Sequence, residues 1–332
     1  MTRRFAGMVL LLGTALVPVS AQQRDASVQR LDPALDAIIA PGTAVEVLKD
    51  GFGYINGMTW VRDGSGGYLL ISDIEANLIS RWTSSGMMSP LVQRPDWTIS
   101  PEARPENSHF GANGMTLDPQ GRIVYCAEGD RRVMRLEKDG TRTVLAERYG
   151  GKRLNSPNDL VFRKDGALYF TDPAGGPRFG KYDLKRELPY QGVYLLRDGK
   201  LRLLIQDMTR PNGITLSPDE KYLYVNDSVE RLIRRFEVQP DGSVANGRVF
   251  LDMGTVKATG NPDGMRVDVR GNLFSAGPGG IWVISPEGKH LGTIRPPRSA
   301  PGITFGDPDG KGLYIAAGEA LVRVRVNAAA AR

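Results

Sequence analysis

The sequence is poor in reactive and cross-linking residues. It has one cysteine, Cys126, and two histidines among 332 residues. A single cysteine excludes an intramolecular disulfide, so stability must come from burial and hydrogen bonds. Cys126 lies in the apolar run IVYCA, which predicts a buried, unreactive thiol. The motifs G-x-S-x-G, H-E-x-x-H and the P-loop are also missing, so nucleophile-elbow, zinc-protease and P-loop chemistries find no support.

No block of basic residues accompanies the net charge of +6. Lysine and arginine are scattered as short pairs, such as Arg131-Arg132 and Arg234-Arg235, and no nucleic-acid-binding signature is found. The excess positive charge therefore indicates a basic, solvated surface, and we expect no nucleic-acid partner.

No apolar run is long enough to span a bilayer. The basic leader Thr2-Arg3-Arg4 precedes a mostly apolar stretch over residues 5–19, and Val19-Ser20-Ala21 resembles an A-x-A cleavage site. This order predicts a secretory signal peptide over residues 1–21, cleaved near Ala21, and a periplasmic or secreted protein without membrane insertion. The alternative is an ordinary buried N-terminal helix. Residues 22–40 then form a lead-in segment that we expect to be loosely packed.

The sequence is rich in turn-forming residues, with 40 glycines and 22 prolines. Beyond residue 44 the apolar residues alternate with period 2, and few segments have helical periodicity. A unit of four short strands recurs six times at spacings on the order of 40–50 residues, which is typical of a β-propeller. We therefore predict an all-β, six-bladed β-propeller over residues 41–328 with a metal site in the central channel. The segment 44–50 should pair with the last blade and close the ring. The alternative, two stacked β-sandwiches, does not explain the repeated unit.

An Asn-Gly or related dipeptide precedes the first strand of most units, although Asn-Gly usually marks a hairpin turn. The first strands of a propeller line its channel, so these positions should converge at one channel mouth. Their side-chain oxygens suit a hard divalent cation such as calcium, and the lack of His and Cys argues against zinc or copper. The alternative is that each Asn or Asp makes a local Asx-turn. The residues are Asn56, Asn113, Asn158, Asn212 and Asp263.

A second group of polar residues ends the neighbouring strand of several units: Asp73, Glu128, Asp172 and Asp227. We expect these side chains to lie near the same mouth and to orient ligands or substrate. His109, in NSHFGANG, precedes the second unit at the same face and is a candidate for substrate contact. The alternative for His109 is an ordinary loop residue.

Several segments resemble one family, the six-bladed propellers that include senescence marker protein (regucalcin), gluconolactonase and luciferin-regenerating enzyme. The resemblance covers about residues 45–326. The segments are LLISDIEANLISRW, RLNSPNDLVFRKDGALYFTDP, LPYQGVYLL, PNGITLSPDEKYLYVNDS and NPDGMRVD. The resemblance implies a lactonase that uses one calcium ion in the channel. It also implies that Asn158, Asn212 and Asp263 match metal-site positions, with Asp263 as the candidate general base.

The first unit departs from the pattern of this family. Members usually have a metal-binding glutamate in an E-G-P-x-W segment, whereas this chain has INGMTW, with Asn56 at that position. Asparagine offers one oxygen and no charge. The expected metal set is therefore Asn56, Asn158, Asn212 and Asp263, with one formal negative charge, and Glu128 or Asp172 could compensate.

The expected reaction is metal-assisted hydrolysis of a sugar lactone or related small ester. Asp263 is expected to bind the metal and activate water, with Asp172 or Asp227 as rival bases. Two other functions stay open, namely hydrolysis of a phosphotriester on the same scaffold and non-catalytic binding of a small molecule. We expect specificity to reside in the loops over residues 93–110 and 175–191.

Overall fold

The computed structural model describes residues 26–64, 66–95, 111–174 and 186–331. These residues form six antiparallel sheets of four or five strands, arranged as a six-bladed β-propeller, and one further two-stranded sheet; the arrangement confirms the predicted fold. The strands of each blade are numbered here from the channel outward. Blade 1 comprises Ile55–Val61, Tyr68–Asp73, Leu78–Trp82 and Met88–Gln93. Blade 2 comprises Ala112–Leu117, Ile123–Ala127, Arg132–Leu136 and Arg142–Ala146.

The remaining blades follow the same order. Blade 3 comprises Leu160–Phe162, Leu168–Asp172, Gly192–Arg197 and Lys200–Ile205, and the short strands Arg148–Tyr149 and Lys152–Arg153 precede it. Blade 4 comprises Pro211–Leu216, Tyr222–Asp227, Leu232–Val238 and Val244–Asp252. Blade 5 contains Met265–Val267, Leu273–Gly277, Gly280–Ile284 and His290–Arg295, and blade 6 contains Gly302–Gly306, Gly312–Ala317 and Ala320–Arg325.

The ring is closed by a strand from the beginning of the propeller. Val45–Lys49 pairs antiparallel with Ala320–Arg325 as the fourth strand of blade 6, with Val45 opposite Val324. This pairing confirms the prediction for residues 44–50. It joins the two ends of the propeller in one sheet, so the ring cannot open without breaking a ladder of backbone hydrogen bonds.

The lead-in segment differs from the expectation of loose packing. Ser27–Arg30 pairs with His290–Arg295 as a fifth strand of blade 5, and the 3₁₀-helix Pro33–Ala37 follows it. The buried side chains of Leu35, Ile38 and Ile39 join the apolar cluster between blades 5 and 6. Apolar contacts therefore hold this segment against the propeller, because it covers a sheet face that would otherwise be exposed.

Apolar side chains from adjacent blades form the core. One cluster combines Leu70 and Ile79 of blade 1 with Met115 and Tyr125 of blade 2. Each blade buries both faces against its neighbours, while its edges point to the channel and to the outside. Within the part of the chain that the model describes, no helix is long and apolar enough to cross a membrane.

The recurring Asn-Gly dipeptides form β-bulges inside the first strands rather than hairpin turns. In blade 1, Ile55 pairs with Asp73 and Met58 with Ile71, so Asn56 and Gly57 together face Ser72. The same two-against-one register occurs at Asn113-Gly114 in blade 2 and at Asn212-Gly213 in blade 4. A bulge bends the strand and redirects a side chain. Here it turns the Asn towards the channel.

In five of the six blades, a glycine near the start of the first strand or just before it is required by the close approach of the next blade. A Cβ atom at Gly57 would lie 1.8 Å from the carbonyl oxygen of Asn113. Equivalent distances are 2.6 Å from Gly114 to Asn158, 2.1 Å from Gly213 to Asp263, 2.9 Å from Gly264 to Pro301 and 1.9 Å from Gly302 to Asn56. No side-chain atom fits at these places, so the glycines allow the bulges to pack into a continuous ring around the axis.

Alanine at Gly57 should therefore destabilise the whole propeller. The added methyl group has no space beside Asn113, and overpacking of this kind costs on the order of 3 kcal/mol. Gly57→Ala should lower the midpoint of chemical unfolding strongly. The matched control is Gly64→Ala, because a Cβ atom at Gly64 meets nothing within 4 Å. Equal stability of the two variants would contradict the close-packed ring.

Candidate active site in the central channel

The bulges bring residues from different blades to one cavity at the axis. Asn56, Asn113, Asn158 and Asp263 all line it, together with the glycines that follow three of them. These residues are separated by 45 or more positions in sequence. Rotational repetition of the blade is what places them together.

Asn113 and Asn212 are held in the same way. The side-chain amide of Asn212 donates to Ser228 Oγ at 3.0 Å, and that of Asn113 donates to Glu128 Oε2 at 3.0 Å. In each case the acceptor follows the second strand of the same blade by one residue. Fixing the Nδ2 atom also fixes the direction of the side-chain oxygen. Asn212 Oδ1 is buried and has no hydrogen-bond partner among the described residues, so it is available to bind a ligand.

Asp263 is the acidic residue of the cavity wall contributed by blade 5. Burial raises the pKa of its carboxyl group well above the usual range, and the negative charge of Asp159 raises it further. Hydrogen bonds from Gly264 and Asn212 oppose this shift. The backbone carbonyl of Asp263 accepts a hydrogen bond from Asn226 Nδ2, which ties blade 5 to blade 4 at this point. The carboxyl group is therefore held at a defined place.

Glu128 forms one group with Asp73, Asp172 and Asp227 in the sequence, but it does not occupy the same position in its blade. Asp73 pairs with Ile55 and Asp227 with Pro211, whereas the residue paired with Ala112 in blade 2 is Ala127. Glu128 is thus one residue further along. Burial raises its pKa to about 7, while hydrogen bonds from Asn113 and Ser156 act in the opposite direction.

Asp172 and Asp227 hold the loops that lead into the bulges. Asp227 Oδ2 accepts from the backbone N–H groups of Thr209 at 2.7 Å and Arg210 at 3.0 Å, and its Oδ1 accepts from two more N–H groups. Asp172 accepts from the N–H groups of Asn155 at 2.8 Å and Ser156 at 2.7 Å. Burial raises the pKa of Asp172 to about 7 against these bonds. Both residues act on the site by fixing the backbone before Asn158 and Asn212.

Two channel residues were not selected from the sequence. Asp159 occupies the bulge position where the other blades have glycine, and its Oδ2 lies 3.5 Å from Arg266 Nη1. The backbone N–H groups of Leu160 and Ile214 also donate to its carboxylate. The replacement of glycine by Asp159 was the available signal, and a charged residue in the apolar first strand of blade 5 was the signal for Arg266.

Asn56 lines the cavity, and its Oδ1 atom lies close to Gly302 of blade 6. His109 lies outside the described residues, as do 96–110 and 175–185, which make up most of the two loops expected to set specificity. The roles predicted for His109 and for the two loops therefore stay predictions.

The residues of the cavity suit a hard cation held largely by neutral oxygens. No three His, Cys, Asp or Glu side chains cluster for metal binding in the described ranges. Carboxamide oxygens would therefore have to contribute, and the unpartnered, buried Oδ1 of Asn212 is such an oxygen. Oxygen ligands including Asn side chains are typical of calcium sites.

Comparison with known proteins assigns the family. A family model described as the SMP-30/gluconolactonase/LRE-like region matches residues 61–319. The chain belongs to this family. A gluconolactonase of Zymomonas mobilis is 36% identical over 312 residues, which cover 90% of this chain and 85% of that protein.

Solved structures of the SMP-30/gluconolactonase/LRE-like family have the same fold. A gluconolactonase from Xanthomonas campestris superposes with a TM-score of 0.77 at 30% identity, covering 92% of this chain and 96% of that one. Regucalcin from Agrobacterium tumefaciens, described as a calcium-binding protein, superposes with a TM-score of 0.67 at 19% identity. It covers 86% of this chain and 95% of its own, and at this identity it bears on the fold alone.

Asp227→Asn should destabilise the protein by about 1–3 kcal/mol, because an amide in place of the carboxylate leaves buried backbone N–H groups without an acceptor. The measurement is the free energy of unfolding from urea denaturation. Asp241→Asn is the control in the same blade, since Asp241 accepts hydrogen bonds in an exposed turn. If both substitutions cost the same, Asp227 does not hold the loop.

Proposed function

We propose that this protein is a calcium-dependent lactonase that opens a sugar lactone or a related small lactone by attack of water on the ring carbonyl. That the chain is a lactonase follows from its membership of the family and its 36% identity to a gluconolactonase along nine-tenths of its length. The observation that supports the site is the convergence of Asn56, Asn158 and Asp263 on one cavity, with the side chain of Asn212 in hydrogen-bond contact with Asp263.

The residues that would hold the cation are Asn56, Asn158, Asn212 and Asp263. When bound, a divalent cation polarises a carbonyl group and stabilises the negative charge that develops on its oxygen. The bulges fix the backbone of these residues, and Ser228 fixes the amide of Asn212. The oxygens are thus oriented before any ligand arrives, which lowers the entropic cost of binding.

Asp263 is the group best placed to accept a proton from the attacking water. Both oxygens of Asp227 accept backbone hydrogen bonds, and so do both oxygens of Asp172, so these two rival bases are occupied. Asp263 lines the cavity itself, so its carboxylate lies where the attacking water and the lactone would meet.

A panel of sugar and aliphatic lactones, assayed by acid release, tests this function. The wild-type protein should hydrolyse at least one of them, lose the activity with a chelator and regain it with calcium. Asp263→Asn should lower kcat by on the order of 100-fold or more, the size expected for loss of a general base. Asp241→Asn is the control for a change of one surface charge.

Two results would contradict the proposal. Full turnover by Asp263→Asn would remove this residue from the mechanism. No turnover of any lactone, with calcium bound, would favour a phosphotriester substrate or a non-catalytic binding protein, and a phosphotriester assay would distinguish these two.

We also propose that the protein is exported, on the strength of the basic leader, the apolar stretch over residues 5–19 and the cleavage-site pattern at Val19-Ser20-Ala21. The protein expressed in a Gram-negative host should be recovered from the periplasm or medium with Gln22 as its first residue. Mass spectrometry of the intact chain measures this. An uncleaved chain retained in the cytoplasm would contradict export.

A further inference from the structure

Glu128 is a buried carboxylate whose charge is not neutralised by a neighbouring cation. Glu128 is 7% exposed, and among the described residues no Lys or Arg lies within ion-pair distance of its carboxylate. Its carboxylate accepts hydrogen bonds from the amide of Asn113 and from Ser156. A carboxylate that is almost fully buried is rarely retained without a counter-ion, because desolvation of the charge is costly.

The equivalent residue in blade 4 also orients a bulge asparagine, but it carries no charge. Ser228 follows the second strand of its blade by one residue, as Glu128 does, and accepts from the amide of Asn212. A hydroxyl is therefore sufficient to orient a bulge asparagine. The carboxylate in blade 2 adds something that orientation does not need, namely a negative charge behind Asn113.

The other charged side chains near the channel axis indicate which ligand the negative charge of Glu128 could balance. Asp159 has a counter-ion of its own, since its Oδ2 lies 3.5 Å from Arg266 Nη1. Within the described residues no such ion pair is found for Asp263, which lines the cavity, or for Glu128, which holds Asn113 at the same cavity. Two unbalanced carboxylates match one divalent cation, whereas Asn56 contributes an oxygen and no charge.

We propose that Glu128, acting through Asn113, supplies the second negative charge of the cation site, in place of the carboxylate that Asn56 does not provide. Glu128 is thus a positioning residue and not the general base. This inference rests on the proposed calcium dependence. It extends that proposal by assigning a determinant of metal affinity to blade 2, a blade that contributes none of the expected metal ligands.

The test is the calcium affinity of purified variants, measured by titration calorimetry of chelator-treated protein. Glu128→Gln keeps the size of the side chain and an oxygen that can accept from Asn113, but removes the charge. It should weaken calcium binding 10- to 100-fold, the range typical when a group supporting a metal ligand is lost. Glu128→Asp keeps the charge and should retain most of the affinity.

A compensating substitution makes the test specific. Asn56→Glu restores a carboxylate in blade 1. The double variant Asn56→Glu/Glu128→Gln should therefore bind calcium at least tenfold more tightly than Glu128→Gln does. Glu147→Gln is the matched control. It also removes one negative charge in blade 2, but Glu147 is paired with Arg132 at the surface and should leave calcium binding unchanged.

The outcomes separate this inference from the proposed function. If the wild-type protein binds no calcium, the proposed function is wrong and the inference falls with it. If the wild-type protein binds calcium and Glu128→Gln binds it equally well, the inference alone is overturned. Unchanged affinity together with lost turnover would make Glu128 a catalytic acid or base instead. Should Glu128→Gln not fold, Asn113→Ala breaks the contact through which Glu128 acts, and calcium affinity equal to that of the wild-type protein would overturn the inference.

Discussion

The structure depends on how closely the six first strands approach one another at the axis. In five of the six blades, a glycine beside the axis packs against a backbone carbonyl oxygen of the next blade, at a distance that leaves no room for a Cβ atom. Hydrogen bonds across the blades strengthen these contacts, for example from Thr171 Oγ1 to the carbonyl oxygen of Asn212 at 2.6 Å. The narrowness of the channel follows from this packing, and so does the convergence of the asparagine side chains on it.

A narrow, protein-lined channel also decides the electrostatics. Carboxylates placed there lose solvation, which raises the pKa of Glu128 to about 7 and that of Asp263 well above its usual range. In an exposed turn outside the channel, hydrogen bonds from Thr141 lower the pKa of Asp139. The chemistry of the site therefore comes from where the blades put these carboxylates rather than from the carboxylates themselves.

Much of the architecture could be predicted from the sequence. The repeated four-strand unit and its period-2 alternation predicted six blades, and the strand Val45–Lys49 closes the ring as expected. The packing of the lead-in segment was not predictable, because the partner of Ser27–Arg30 lies more than 260 residues away in blade 5. A short apolar segment has no sequence signal for such a distant partner.

For the individual residues of the site, too, part of the arrangement could be predicted from the sequence and part could not. The sequence by itself determined that Asn56, Asn113, Asn158, Asn212 and Asp263 are equivalent, since repetition is visible in the order of residues. Only the tertiary structure decided what each does. Glu128 lies one residue further along its blade than Asp172 and Asp227 do, and a shift of one residue reverses the direction of a side chain. For that reason Glu128 supports Asn113 at the channel, whereas Asp172 and Asp227, which look alike in sequence, bind the backbone of their own loops.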